Sequence, residues 1–233
     1  MHIHYLKHVP FEGLGSMENI FVSEGHRLSN TCLYLEQPLP PVHSFDALII
    51  MGGPMGVHDT ARHPWLVREK EFVESAMRRQ IPVLGVCLGA QLLAEVLGAR
   101  VSKNIHEEIG WFPVQRTQEL HGTCAQDFPA SFEALHWHGD TFSIPSGATN
   151  FIASEGCANQ AFVYGDHALA LQFHLEMLPS HVQAIYQACG DPNQTGPFVQ
   201  GLDEMLAPAE KFCQAHRILK EFIRAFISRK TAI

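Results

Sequence analysis

The stretch IPVLGVCLGAQ, residues 81–91, decides the fold of this chain. Its first half is a continuous apolar run that is typical of a buried strand, and its second half opens a helical pattern over residues 88–97. Gly85 and Gly89 flank the junction, and glycines allow a tight turn that brings a strand and a helix close together. The pattern predicts a sharp strand-to-helix turn with Cys87 at its apex.

This position favours a reactive cysteine. The unpaired N–H groups of a helix's first turn, and the positive end of its dipole, stabilise a thiolate. The spacing Gly85-Val-Cys87-Leu-Gly89 follows the steric logic of the G-x-S-x-G turn of hydrolases, with sulfur in place of oxygen. The alternative is that Cys87 is a small apolar residue that only packs in the core. A thiolate nucleophile would also need a base and a group that orients this base.

A candidate base lies near the other end of the chain. Residues 168–174, ALALQFH, predict an apolar strand that finishes at His174. In a parallel sheet, functional groups gather at the carboxyl ends of the strands, so Cys87 and His174 can meet although they are distant in sequence. Glu176 follows two residues later, where it can hydrogen-bond the histidine ring. We therefore expect Cys87, His174 and Glu176 to lie together.

The order of elements predicts the fold class. Strands alternate with helices in the first half of the chain, which predicts an α/β fold with a doubly wound, mainly parallel sheet and helices on both faces. The predicted elements there are strands at 2–9, 31–35 and 47–51 and helices at 16–28 and 63–79. A small β-rich portion follows, with strands at 110–116, 134–138, 151–154, 160–164 and 168–173. We expect a single domain over residues 1–233.

A predicted helix over residues 208–228 ends the chain. Its apolar residues recur at helical spacing and form one stripe: Phe212, Ala215, Leu219, Phe222, Ile223 and Phe226. Such a stripe packs on the core of its own chain or on another protomer. A homo-oligomer is therefore left open.

Four motifs carry a resemblance to a known family: GGPMGV (52–57), GVCLGAQ (85–91), HWHGD (136–140) and QFHLE (172–176). Together, in this order and spacing, they resemble the class I, triad type of glutamine amidotransferase, and more narrowly its free-standing, GMP-synthase-like members. The resemblance implies the flavodoxin-like fold of that family. It also implies that Cys87 attacks the side-chain amide of glutamine, that His174 transfers protons and that Glu176 orients the histidine.

One position departs from the family pattern. Leu175 stands between the histidine and the glutamate, where the family usually has proline. Leucine can occupy an extended turn there without blocking either side chain. The departure therefore questions the local rigidity of the segment and leaves the triad intact.

An oxyanion hole is expected beside the cysteine, because backbone N–H groups aimed at the developing oxyanion are a large part of acyl-transfer catalysis. One donor should be the N–H of Leu88, which follows the nucleophile. The resemblance assigns the other donor to the glycine loop after strand 47–51, where we expect Gly53. In isolation, the Gly52-Gly53-Pro54 sequence would be an ordinary turn.

Further residues are expected to contact the substrate. Gln91 lies one helical turn after Cys87, so its amide can face the same pocket, although a solvent-facing residue is the alternative. By resemblance, Gln91 contacts the amino-acid substrate, and His138, Gly139 and Asp140 form a loop beside the cysteine. In the segment EIGW, residues 108–111, a packing role for Trp111 is at least as good an explanation as a functional one.

A metal site is the competing interpretation of the HWHGD motif. In an extended segment His136 and His138 project to one face, as two metal ligands would. The sequence offers no third ligand with recognisable spacing, and a closed site needs more than two. The expected chemistry requires no metal and no organic cofactor.

Composition narrows the function classes. The formal net charge of −8 argues against a nucleic-acid or anionic-membrane surface. The six cysteines, Cys32, Cys87, Cys124, Cys157, Cys189 and Cys213, show neither C-x-x-C spacing nor a small disulfide framework, which indicates a reducing cytoplasm. The first residues are polar and do not resemble a signal peptide.

These observations predict a glutaminase that forms a γ-glutamyl thioester and releases ammonia. The chain has no P-loop lysine motif and no length for an ATP-using domain, so a separate synthetase subunit is the expected acceptor of ammonia. A stand-alone γ-glutamyl peptide hydrolase with the same triad is the first alternative. The second is a non-catalytic interaction module on the same fold. The sequence does not identify the acceptor or the pathway.

Overall fold

The computed structural model describes residues 1–123, 125–126 and 128–228, so Cys124 lies outside the described residues. Its strands are β1 (His2–Lys7), β2 (Arg27–Cys32), β3 (Ala47–Ile50), β4 (Val83–Val86), β5 (Val101–Arg116), β6 (Ser131–Phe142), β7 (Ala148–Ser154), β8 (Ala161–Tyr164) and β9 (Ala168–Leu171). Its α-helices are α1 (Ser16–Ser23), α2 (Trp65–Arg78), α3 (Leu88–Val96), α4 (Pro179–Cys189), α5 (Leu202–Leu206) and α6 (Ala209–Ser228). Two short 3₁₀ helices follow β2, at Leu33–Leu35 and Val42–Ser44.

The nine strands form one sheet in the order β2-β1-β3-β4-β9-β8-β7-β5-β6. Strands β2, β1, β3, β4 and β9 pair in parallel. The pairs from β9 through β8, β7 and β5 to β6 are antiparallel. The predicted α/β class is confirmed as a large mixed sheet, in which the β-rich portion continues the parallel part across β9.

Helices cover both faces of this sheet. Successive strand residues point to opposite faces, and in β3 Ile49 joins one apolar cluster while Leu48 and Ile50 join the other. The first cluster takes buried residues from α1, α4, α5 and α6, and the second takes them from α2 and α3. Phe212 and Phe222 of α6 are buried in the first cluster, so the apolar stripe of this helix packs on the chain's own core.

The strand order determines where functional groups can meet. Strand β4 lies between β3 and β9, and all three are parallel. Their carboxyl ends therefore lie at the same edge of the sheet, at Ile50, Val86 and Leu171. The segments that follow them carry the glycine loop, Cys87 and His174, as the sequence predicts.

The predicted boundaries of the first helix and the second strand are wrong. The helix ends at Ser23 rather than residue 28, and β2 starts at Arg27 rather than residue 31. Gly25 has a φ of 76°, and its N–H donates to the carbonyl of Val22. A glycine in this left-handed conformation ends a helix. Strand β2 is an edge strand in which only the last two of six residues are buried, so it shows no apolar run.

Within the described part of the chain, no helix has both the length and the apolar character that are needed to cross a membrane. Five of the cysteines are described, and each is a free thiol.

Candidate active site

Cys87 occupies the turn between β4 and α3 in a strained backbone conformation. Its φ of 54° and ψ of −109° lie in a region that L-residues rarely adopt. The turn is tight because α3 packs directly against the sheet: a Cβ added at Gly89 would overlap the carbonyl of Ile50 in β3. The Cys87 N–H donates a 2.8 Å hydrogen bond to the carbonyl of Leu171 in β9, which ties the turn to the neighbouring strand.

His174 and Glu176 follow β9 and are almost completely buried, with exposed fractions of 1% and 3%. The Nδ1 atom of His174 lies 2.7 Å from Oε1 of Glu176. The backbone N–H of His174 donates to the carbonyl of Leu135 in β6, at 2.8 Å, and this bond holds the segment beside the antiparallel part of the sheet. The histidine ring is thus oriented by one carboxylate through a single nitrogen.

Leu175, the departure from the family pattern, contributes to this arrangement. Its backbone N–H donates a 3.0 Å hydrogen bond to Oε2 of Glu176. Proline has no N–H and could not make this bond. The carboxylate is therefore fixed through both of its oxygens, one by the histidine and one by the backbone.

Opposing influences act on the pKa of His174. Burial lowers this pKa, but the Glu176 carboxylate and the Cys87 thiol outweigh burial, so the pKa of His174 is raised well above its usual value. Nε2 of His174 makes no hydrogen bond of normal geometry to a described residue. Catalytic hydrogen bonds often tighten only when substrate is bound. The ring can therefore accept and return a proton at Nε2 while Glu176 holds Nδ1.

Cys87 and His174 open onto a cavity of about 590 Å³. The structure brings most of the predicted site residues to its wall, namely Gly53, Cys87, Gln91, His138, Gly139, Asp140 and His174. Glu176 supports His174 from behind. Leu88 begins α3 directly after Cys87. Among the described residues, no hydrogen-bond acceptor is found for the N–H of Gly53 or of Leu88.

Gln91 faces the cavity but is also tied to the protein. Its Nε2 donates to Oε1 of Gln172 at 3.1 Å, and the carbonyl of Asp140 lies 3.5 Å away. The Asp140 carboxylate lies 2.8 Å from Nζ of Lys103, whose side chain is exposed. The wall of the cavity thus presents a negative and a positive charge side by side.

The structure supplies the third residue that the metal interpretation of HWHGD lacked. Glu108 of β5 lies beside His136 and His138, and their ligand atoms are within 4.8 Å of one another. However, the Gln160 amide nitrogen lies between them, 2.6 Å from Oε2 of Glu108 and 3.3 Å from Nδ1 of His136. Ser154 donates a further 2.6 Å bond to Glu108. These contacts make the cluster a hydrogen-bonded network.

This network acts on the part of β6 that lies beside the cysteine. The expectation of a loop there is wrong, because His138, Gly139 and Asp140 belong to this strand, which pairs with β5. Nε2 of His138 lies 3.0 Å from the Glu108 carboxylate, and Nδ1 lies 3.0 Å from the Asp140 carbonyl. Both ring nitrogens of His138 are therefore engaged within the chain. The carbonyl of Trp137 lies 3.6 Å from Sγ of Cys87. Glu108 and His138 thus hold the backbone that borders the nucleophile.

Trp111 has the packing role expected as one alternative for the EIGW segment. Its ring is buried against Phe212 of α6, with ring centroids 4.9 Å apart. Its Nε1 donates a 3.0 Å hydrogen bond to the carbonyl of Met205. The indole therefore joins β5 to the helices at the end of the chain.

Sequence reasoning missed an acidic residue in the cavity. Glu12 lies in the loop between β1 and α1, is 5% exposed and lines the cavity with Cys87. Burial raises its pKa, and the nearby His174 and His8 partly oppose this shift. The position of Glu12 in the sequence could have indicated this, because its loop follows the carboxyl end of a parallel strand, where functional groups gather.

Comparison with known proteins agrees with this geometry. The family model described as glutamine amidotransferase class-I matches residues 24–188. The chain belongs to this family of enzymes. A relative named putative glutamine amidotransferase-like protein YfeJ, from Salmonella typhimurium, is 31% identical over 192 residues, which is 80% of each chain. The glutamine-hydrolyzing GMP synthase subunit from Sulfurisphaera tokodaii is 33% identical over 144 residues, covering 61% of this chain and 73% of that protein.

Solved structures of glutamine amidotransferases share the fold along nearly the whole chain. The crystal structure of a glutamine amidotransferase from Thermotoga maritima superimposes with a TM-score of 0.88 at 30% identity, covering 97% of this chain and 98% of that one. The predicted resemblance to this family, and to its GMP-synthase-like members, is confirmed.

Proposed function

We propose that this chain hydrolyses the side-chain amide of L-glutamine through a Cys87-His174-Glu176 triad. The observation that carries the proposal is the 2.7 Å contact between Nδ1 of His174 and Glu176, at a cavity that Cys87 also lines. A base that is oriented in this way beside a strained cysteine is the arrangement used for acyl transfer by thiols. The other predicted site residues are assigned to the oxyanion hole and to substrate binding because they line this cavity or directly follow Cys87.

The reaction would proceed in two halves. The Cys87 thiolate attacks the γ-carbonyl carbon, a C–S bond forms, and the carbonyl oxygen becomes an oxyanion that the N–H groups of Gly53 and Leu88 bind. His174 gives a proton to the amide nitrogen as the C–N bond breaks, and ammonia leaves. Water then attacks the γ-glutamyl thioester with His174 as base, and glutamate is released as the thiolate reforms.

Substrate contacts are assigned to the wall of the cavity. Glutamine is a zwitterion at its α-carbon, and the Asp140 and Lys103 pair offers one charge of each sign there. Gln91 and Gly139 line the same wall. His138 has both ring nitrogens engaged, so its contribution is to hold residues 138–140 of β6 in place.

The acceptor of ammonia is proposed to lie on a separate synthetase subunit. The similarity to the glutamine-hydrolyzing GMP synthase subunit supports this arrangement. The scheme uses no cofactor, and we place the protein in the cytoplasm because of its cysteine usage and its composition.

A stand-alone γ-glutamyl peptide hydrolase is the second candidate. The volume of the cavity, about 590 Å³, supports this candidate, since sites of this size hold ligands larger than one amino acid. The similarity to a protein named gamma-glutamyl peptidase 3, from Arabidopsis thaliana, also favours it; that protein is 27% identical over 138 residues, covering 57% of this chain and 55% of that one.

The test is release of ammonia and glutamate from L-glutamine, and of amines from a panel of γ-glutamyl peptides. Cys87→Ala is the test variant, and Cys213→Ala, at an exposed thiol away from the cavity, is its control. We expect turnover by the wild type and by Cys213→Ala, and none by Cys87→Ala. Turnover that survives in Cys87→Ala would overturn the assignment. Activity confined to γ-glutamyl peptides would select the hydrolase.

A further inference from the structure

A buried histidine and glutamate lie behind the glycine loop of the site. His8 directly follows β1, and Glu69 lies on α2. Both side chains are completely buried, and Nε2 of His8 lies 2.8 Å from Oε1 of Glu69. Trp65 of α2 stacks on the imidazole, with ring centroids 5.5 Å apart. The ring is thus held by a carboxylate at its edge and by an indole on its face.

The other nitrogen of this ring binds the glycine loop. Nδ1 of His8 lies 2.9 Å from the carbonyl oxygen of Gly52. A carbonyl oxygen can only accept a hydrogen bond, so Nδ1 carries the proton and donates it. Burial lowers the pKa of His8, but Glu69 outweighs burial and the net direction is upwards. A donor to Gly52 is therefore maintained.

The geometry of the peptide unit transmits this contact to Gly53. The Gly52 carbonyl and the Gly53 N–H belong to one planar unit, and in a trans peptide they point in opposite directions. Fixing the oxygen therefore fixes the direction of the N–H. This constraint is needed because the unit lies between two glycines, whose backbone dihedrals are the least restricted of any residue.

We propose that His8, supported by Glu69, is a positioning residue that holds the Gly52-Gly53 peptide so that the Gly53 N–H binds the oxyanion. This inference rests on the roles of Cys87 and Gly53 given under Proposed function. The contact between His8 and Gly52 would orient the Gly53 N–H and so stabilise the oxyanion of the transition state. His8 itself does not line the cavity that contains Cys87, so it has no direct contact with substrate there.

A matched pair of variants separates the two contacts of His8. The amide nitrogen of asparagine is two bonds from Cβ, as Nδ1 is, so His8→Asn retains a donor towards Gly52. The amide nitrogen of glutamine is three bonds from Cβ, as Nε2 is, so His8→Gln retains the contact to Glu69 instead. Both variants are polar and similar in size. His4→Asn, at a buried histidine of β1 that contacts Ser29 and Thr31, is the control for loss of a buried ring.

The measurements are kcat, KM and the rate at which iodoacetamide alkylates Cys87. Alkylation displaces iodide at a saturated carbon and forms no oxyanion, so it reports the thiolate and not the oxyanion hole. Loss of an oxyanion donor lowers kcat by about 100- to 1000-fold in acyl-transfer enzymes. For a displaced donor in His8→Gln we expect a loss of about 10- to 100-fold, with KM and alkylation within about threefold of the wild type. His8→Asn should retain at least about ten times the kcat of His8→Gln.

Each result separates this inference from the proposed function. A wild type without Cys87-dependent turnover would overturn the proposed function. Normal wild-type turnover with equal kcat in His8→Asn and His8→Gln would overturn the inference alone. Alkylation that falls in parallel with kcat would also overturn it, because a general disturbance of the site would then explain the loss. Thermal unfolding of all variants shows that the comparison is made on folded protein.

Discussion

The backbone N–H of Leu175 donates to one oxygen of Glu176 while the other oxygen contacts His174. The carboxylate therefore meets two groups that both donate. Each donor must face a hydrogen-bond acceptor, and the two oxygens of a carboxylate provide one acceptor for each. Leucine at position 175 thus supplies a backbone N–H that fixes the glutamate, and proline could not supply it.

Glu176→Gln should therefore impair catalysis severely. The side-chain amide of glutamine has an acceptor oxygen and a donor NH₂ group. Its NH₂ group would therefore face another donor, either the Leu175 N–H or Nδ1 of His174. By analogy with the carboxylate-to-amide change in serine proteases, we expect kcat to fall by about 10²- to 10⁴-fold. The pKa of His174 should also fall, because Glu176 is a main cause of its elevation, and the pH–rate profile should shift towards lower pH.

The control for this variant is Glu133→Gln, which removes a carboxylate that pairs with Lys211 away from the cavity. Steady-state ammonia release from pH 5 to 9 measures both effects. A profile of Glu176→Gln that superimposes on that of the wild type would contradict the orienting role of Glu176.

The strained backbone of Cys87 predicts an unusual order of stabilities. Glycine is ordinarily less stabilising than alanine, by about 0.5–1 kcal/mol. At a φ of 54° and ψ of −109°, the strain of a residue with a Cβ costs about 1–3 kcal/mol, and glycine avoids it. We expect Cys87→Gly to exceed Cys87→Ala in free energy of unfolding by about 1 kcal/mol.

Urea denaturation of the two variants checks this order. Ala94→Gly, in the body of α3, serves as the opposite case and should lose stability against the wild type. A Cys87→Gly variant that is less stable than Cys87→Ala would show that the turn holds no strain.

Gly89→Ala should destabilise the protein at the contact between α3 and β3. The added Cβ would overlap the Ile50 carbonyl and would lie 2.9 Å from the Ile50 Cβ, and both belong to the buried sheet. Overpacking of this kind costs about 1–3 kcal/mol, and occasionally more. Activity should fall as well, because the start of α3 carries Cys87 and the Leu88 N–H.

Thermal and urea unfolding measure this cost. Gly13→Ala is the matched control, since its nearest neighbour would be Nζ of Lys7 at an ordinary 3.7 Å. Equal stability of the two alanine variants would mean that α3 does not approach the sheet as closely as described.

The acid sensitivity of the fold can be assigned in part to His4. Burial, and the neighbouring His2, lower the pKa of His4 from 6.5 to about 4. Below pH 6.5 the unfolded chain binds a proton at this residue that the folded chain binds only near pH 4. The free energy of unfolding should therefore fall as the pH falls through this window, by at most about 1.4 kcal/mol per pH unit.

His4→Asn removes this titration. The difference in free energy of unfolding between wild type and variant should decrease from about pH 7 to about pH 4, as measured by urea unfolding at each pH. If this free-energy difference is constant over the range, His4 has the same pKa in the folded and the unfolded chain, and the prediction is wrong.

Strands β3, β4 and β9 of the parallel part were predictable because each is a short, fully buried apolar run between turn signals. The segment around Cys87 was predicted well for this reason, and its helix ends at Val96, one residue before the predicted end. Strand β5 was predicted to start at residue 110 but starts at Val101. Its first part is largely exposed and its register shifts between Lys103 and Glu108, so no alternating pattern is visible.

The candidate site was predictable where its residues follow strands of recognisable pattern. Cys87 and His174 are of this kind. Glu108 could not be connected to His136 and His138 as a third group, because their proximity depends on the pairing of β5 with β6. Likewise, the histidine after β1 and its glutamate on α2 are 61 residues apart and meet only because α2 packs over the end of β1. Contacts of this kind are properties of the tertiary fold and leave no local spacing in the sequence.

Helix α3 begins at Leu88, and the side chain of its N-cap residue, Cys87, makes no capping hydrogen bond. A capping side chain accepts from the second or third N–H of a helix, and the first N–H, here that of Leu88, also has no partner within the helix. In the proposed acyl-enzyme, the thioester oxygen would accept a hydrogen bond from this Leu88 N–H. The amide hydrogen of Leu88 would then exchange more slowly whenever an acyl group is attached. During turnover, α3 would alternate between a state in which the Leu88 N–H has no acceptor and a state in which the acyl oxygen binds it.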